Sequence, residues 1–190
     1  GGEAESNKLS ALSNIMKLLL EQWREYLINE EDASHAEKNI YGWTHSDLID
    51  MMVSSESPPD EEDIEHLINH KTEQLRRIEE RGEVIVYRVV FTKTKEDINL
   101  DELGHHFISD VSDFHESMLS YLYMNARKSD PTLKESDVWL IEVKVPSNSI
   151  DYHETMRTFA NFPFESEITV ENPENVEIID VSPYYEEAGV

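Results

Sequence analysis

Glu165 and Glu167 stand two residues apart, so on an extended segment both carboxylates project to one side and can surround a single reacting centre. One of such a pair can steady developing positive charge while the other orients and deprotonates an attacking group. Arg88 is the second residue whose position asks for chemistry. It interrupts a near-continuous apolar run from Val84 to Phe91, and its planar, permanently charged fork suits phosphate oxygens. Ser109 offers a hydroxyl ahead of a helical segment, with His105 and His106 as close neighbours. Each group also has a plainer reading. Arg88 can be a buried ion-pair partner, Glu165 and Glu167 the solvent side of an alternating strand, and Ser109 the cap of a helix that begins near Val111.

In chain order these groups form a series. Tyr87-Arg88 comes on a strand, Leu103-Gly104-His105-His106-Phe107-Ile108-Ser109 precedes a helix, an edge strand runs into Pro146, and Glu165-Ser166-Glu167 comes last. That order of arginine, serine and glutamate resembles the ADP-ribosyltransferases, over about residues 84 to 181. The resemblance implies NAD as donor substrate and cleavage of the bond between nicotinamide and ribose, a step that develops positive charge on the sugar. It gives Glu167 a ribose hydroxyl and the oxocarbenium-like state, and Glu165 the acceptor. Two glutamates in the turn match the arginine-modifying members. Arg88 would hold the NAD phosphates, and Ser109 would steady the catalytic glutamate or the nicotinamide side, with His105 and His106 beside it. Two positions depart from the pattern. Val89 stands where a glycine is frequent, and Ser109-Asp110-Val111 stands in place of serine, threonine, serine.

The elements that must position these groups follow from periodicity. Apolar residues at helical spacing from Leu9 to Leu27 predict one long helix, followed by a polar loop from Asn29 to Asn39. Thr44 can cap a short helix over Ser46 to Val53. After the breaker stretch ending in Pro58-Pro59, the acidic run Asp60 to Asp63 suits a helix N-terminus, and Ile64, Leu67, Ile68, Leu75 and Ile78 form its apolar face up to a stop at Gly82. Beyond Gly82 the sequence turns β-rich. Strands are expected at Val84 to Phe91, His105 to Ser109, Val138 to Val145, Glu167 to Val170 and Val176 to Val181, with one helix inserted over Val111 to Asn125. The tail after Pro183 is expected to be loose. The expected fold is α+β, with an N-terminal helical region over residues 1–83 and a split, mostly antiparallel β core of ADP-ribosyltransferase type over 84–190, joined as one compact unit.

Composition narrows the function further. With 41 acidic against 16 basic residues the chain carries a formal charge of -25, which disfavours direct binding of nucleic acid or anionic membranes and favours a basic protein target. The same charge supports a rival from another class, a non-enzymatic acidic interaction protein such as an inhibitor or nucleic-acid mimic. The absence of cysteine excludes disulfides and thiolate nucleophiles and suits a reducing compartment, so a cytoplasmic place is expected, in the producer or in a host cell. Gly1-Gly2 reads as a tag remnant. No phosphate-binding glycine loop or Rossmann fingerprint is present, and His66 with His70 alone does not make a metal site, so no metal is expected. The size and the resemblance together point to a viral or bacterial effector.

Overall fold

Gly82 is the hinge of the sequence. In the computed structural model, which describes residues 2–37 and 39–187, it takes a left-handed conformation (φ 81°) and its N–H closes the preceding helix on the carbonyl of Ile78 at 2.9 Å. That helix, α3 (Glu61–Arg81), follows α1 (Gly2–Glu37) and α2 (His45–Val53). Its first turn is acidic, which complements the helix dipole, and its stripe of Ile64, Ile68, Leu75 and Ile78 is buried. Lys71 lies inside that stripe and is buried with it.

After Gly82 the chain runs straight into β1 (Glu83–Phe91), then β2 (His106–Ile108), α4 (Glu116–Ala126), β3 (Val138–Pro146), α5 (Tyr152–Asn161), β4 (Glu167–Thr169), β5 (Glu177–Pro183) and the short α6 (Tyr184–Glu187). The strands form one five-stranded sheet in the order β4-β2-β1-β3-β5, with every neighbouring pair antiparallel. The fold is therefore α+β, with helices leading and a sheet following.

Register decides which side chains share a face. Val89 lies opposite Leu140 and Phe91 opposite Val138, and Tyr87 pairs with Ile108 on β2. These residues meet Phe114 and Leu133, and α4 covers them with Met118, Leu119 and Leu122. Val86 opposite Val143 and Val84 opposite Val145 point the other way, toward the side where α3 and α5 lie against β1 and β4. Val86, Ile141, Val143 and Val145 are fully buried. At about 25 cal/mol per Å² of apolar surface, such layers on both faces of the sheet are the main term holding it together.

Several expectations are corrected. The strand that runs into Pro146, expected at an edge, is β3 and lies between β1 and β5. The backbone of α1 is helical through Glu37, where polar composition predicts a loop from Asn29; Lys38 lies outside the described residues. Strong helix formers Glu30, Glu31, Ala33, Ala36 and Glu37 outweigh the missing apolar periodicity. Two helices, not one, are inserted among the strands. The second, α5, starts at Asp151, whose side chain accepts the N–H of Glu154 at 2.9 Å, and buries Met156, Phe159 and Ala160. Tyr184 is buried edge-on against Phe114, so the chain stays ordered past Pro183 through α6; residues 188–190 lie outside the described part.

The chain divides into two units, the stretch up to His45 and Ser46–Val190, so α3 shares a unit with the whole sheet. Within the first, Tyr41 and Gly42 both take positive φ in a turn closed by Ile40 and Trp43, whose N–H and C=O groups bond reciprocally. In α1 the side chains of Leu9, Leu12, Met16, Leu19 and Trp23 are each more than half exposed.

Candidate functional site

β1 and β2 share one register pair, Tyr87 with Ile108, and Arg88 sits just beyond it. The guanidinium turns into the opening between the strands and donates from Nη1 to the carbonyl of His106 at 3.0 Å, an acceptor that a continued ladder would have used. Gly104 makes room for it. A Cβ at that glycine would come within 3.3 Å of Nη1, and its φ of +78° is one that L side chains avoid. Burial pulls the Arg88 pKa below its ordinary value, and the charge of Glu167 opposes that shift. Among the described residues no other protein acceptor takes the remaining Arg88 donors. A partly desolvated guanidinium with spare donors is a place for an anion.

Glu167 opens β4 directly opposite Ile108, and its side chain is only 14% exposed. One oxygen, Oε1, lies 2.5 Å from Nδ1 of His106. Glu165, two residues earlier, lies on the same side of the chain and lines the same cleft. Its pKa is raised, first by burial and then by the charge of Glu167; Asp113 adds to the rise and His115 opposes it. The cleft holds about 380 Å³. Tyr87, Ile108 and Phe114 from the core face and Met118, Tyr121 and Leu122 from α4 supply its apolar wall, while Arg88, His106, Glu165 and Glu167 supply its polar one. An apolar concavity with a few converging polar groups has the composition of a small-molecule site.

Four of the six sequence candidates thus converge: Arg88, His106, Glu165 and Glu167. Ser109 and His105 do not. Ser109 alternates with Ile108 and faces α3, where its Oγ accepts from Nε2 of Gln74 at 3.1 Å and donates to the carbonyl of Ser166 at 3.1 Å. Its backbone N–H reaches the same carbonyl at 2.9 Å. Ser109 therefore braces the backbone of the 165–167 turn and does not touch the Glu167 carboxylate. His105 donates from Nδ1 to the carbonyl of Val170 at 2.7 Å and lies along β4 outside the cleft.

Residues outside the sequence candidates also bear on the turn. Lys71 donates from Nζ to the carbonyl of Glu167 at 3.1 Å, and Gln74 reaches Ser166 through Ser109. Lys71 carried a readable signal: it falls three residues after Ile68 and four before Leu75, where the helical stripe calls for an apolar side chain. Tyr121 carried none.

Among the described residues no group of three or more potential ligands could hold a metal ion, and the rings of His66 and His70 stack 6.3 Å apart on α3. No described helix is long and apolar enough to cross a membrane. Compared with protein-family models, with curated proteins and with solved structures, the chain gives no match.

Proposed function

We propose that the chain is a mono-ADP-ribosyltransferase that moves ADP-ribose from NAD to an arginine side chain of a target protein and releases nicotinamide. The observation that supports this most is the convergence of Arg88, His106, Glu165 and Glu167, drawn from three strands and a turn, on one cleft. In the proposed reaction the C–N bond between ribose and nicotinamide breaks, and the electron pair leaves on the nicotinamide. Glu167, held by His106, faces the positive charge that develops on the ribose. Arg88 takes phosphate oxygens of the donor with its spare guanidinium N–H groups. A nitrogen of the acceptor guanidinium then bonds to the same sugar carbon and gives up its proton to Glu165. The raised pKa of Glu165 makes it a better proton acceptor than an ordinary carboxylate. The acidic surface draws a basic target toward the cleft.

Incubation with labelled NAD and a cell lysate tests the reading: label is expected on protein, and Glu167→Gln is expected to abolish it. Labelling that persists in that variant would overturn the assignment. The charge of -25 favours one rival, an acidic interaction protein that works without NAD. For that rival the biological effect survives Glu167→Gln and disappears when surface carboxylates are neutralised or salt is raised.

A further inference from the structure

On the reverse side of the 165–167 turn, α3 presents a polar pair to a second cavity of about 480 Å³, lined by Lys71, Gln74, Ser109, Asp113, Phe159 and Glu165 among others. Lys71 is 3% exposed. Its ammonium lies 5.9 Å from the centroid of the Phe159 ring, and its one hydrogen bond among the described residues is the 3.1 Å contact to the Glu167 carbonyl. A lysine in the apolar stripe of a helix costs stability, and a methionine would fill the same space without that cost. What the lysine adds is a charged hydrogen bond to the backbone of the residue placed at the reacting centre. The second prong, from Gln74 through Ser109 to the carbonyl of Ser166, fixes the preceding peptide.

We infer that Lys71 is a positioning residue for the transfer reaction, acting through the Glu167 carbonyl to hold the Glu167 carboxylate against the cleft. This rests on the ADP-ribosyltransferase reading. The carboxylate of Glu167 is tied at one end to His106 and, through its backbone, at the other to Lys71, so both ends of the residue are set before a substrate arrives.

The charge on Lys71 is adjustable. Burial lowers its pKa to about 8, while the charges of Glu167 and Asp113 partly restore it. The groups that share its surroundings are Glu165 and Glu167 on the turn, Asp110 and Asp113 after β2, and His70 on α3; α5 contributes the uncharged Phe159 ring. The brace is therefore at full strength well below pH 8 and weakens as pH rises through that value and the ammonium loses its proton.

Two measurements test this together. In ¹H-¹⁵N spectra of the whole chain, the amide of Ile168, which shares a peptide plane with the Glu167 carbonyl, is expected to titrate with a midpoint near pH 8, and to stay flat in Lys71→Met. An Ile168 amide that neither titrates in the wild type nor changes its chemical shift in Lys71→Met overturns the brace. In NAD-dependent labelling, Lys71→Met is expected to lower kcat by about tenfold or more with KM for NAD nearly unchanged. Wild-type kcat is expected to fall through the same pH window toward the variant's level. An unchanged kcat overturns the positioning role. If the wild type transfers nothing while Ile168 titrates, the transferase reading falls and the brace on the turn stands.

Discussion

Nδ1 of His106 and Oε1 of Glu167 lie 2.5 Å apart although the two residues are not opposite each other in the sheet. His106 pairs with Thr169 and Glu167 with Ile108, so the contact is a diagonal one between neighbouring antiparallel strands, within reach of long side chains. Of the two roles that the resemblance would allow Ser109, contact with the Glu167 carboxylate is made instead by the histidine three residues before it. His106→Ala is therefore expected to lower kcat by roughly 10- to 100-fold through loss of carboxylate orientation, with KM for NAD changing less. Ser109→Ala, which loosens only the backbone of the turn, is expected to cost less than His106→Ala. Steady-state labelling kinetics on both variants would reverse the assignment if Ser109→Ala proved the more damaging.

Arg88 and Gly104 form a second dependent pair. A methyl group at Gly104 would meet Nη1 at 3.3 Å and would require a side chain at φ +78°. Gly104→Ala is expected to cost about 1–2 kcal/mol of stability from the left-handed backbone alone and to push the guanidinium from its seat. Arg88→Lys keeps the charge but cannot both bond the His106 carbonyl and present a fork to an anion. It is expected to raise KM for NAD about tenfold or more with little change in melting temperature. An unchanged KM in Arg88→Lys would remove the arginine from the proposed donor site.

Glu165 trades stability for its place in the cleft. Its carboxyl pKa is raised in the folded chain, chiefly by burial and then by Glu167. As pH rises through the ordinary carboxylate range the unfolded chain therefore loses this proton first, and the folded state loses stability until Glu165 has also ionised. Glu165→Gln is expected to melt at a higher temperature than the wild type at pH 7, and the difference is expected to vanish below about pH 4. The same variant is expected to lose transfer to arginine. A lower melting temperature at pH 7 would show that the carboxylate is better solvated than its surroundings imply.

The helices and strands were largely legible because Ile64, Ile68, Leu75 and Ile78 repeat at helical spacing and the run from Val84 to Phe91 is β-branched and aromatic. Gly82, capped as expected, marked the change between them. What stayed hidden was side-chain direction. Ser109 and Ile108 differ by one residue and so face opposite sides of the sheet, and β2 is too short for an alternating pattern to say which faces the cleft. α5 escaped because its apolar residues Met156, Phe159 and Ala160 span barely one turn between polar neighbours; the readable mark was Asp151 as its cap. Lys71 was legible as an anomaly in an apolar stripe, but its partner is a backbone carbonyl 96 residues away, which no spacing rule reaches.

The buried ammonium of Lys71 also makes a stability prediction that needs no assay of transfer. Its pKa falls from 10.5 to about 8 on folding, so between those values the unfolded chain holds a proton that the folded chain has released. Stability contributed by this group therefore rises with pH across that window, and below about pH 8 the full cost of burying the charge is present. That cost is roughly 3 kcal/mol, since each pKa unit is about 1.4 kcal/mol. Lys71→Met removes the ionisation and keeps the packing, at the expense of a carbonyl without its donor. Whatever that carbonyl costs is independent of pH. The free-energy difference between wild type and Lys71→Met, from urea unfolding at matched pH, is thus expected to move in favour of the wild type by about 3 kcal/mol between pH 7 and pH 10.5. A difference that stays constant over that range would mean that Lys71 keeps its proton in the folded chain, and the turn would then be braced at every pH in which the protein folds.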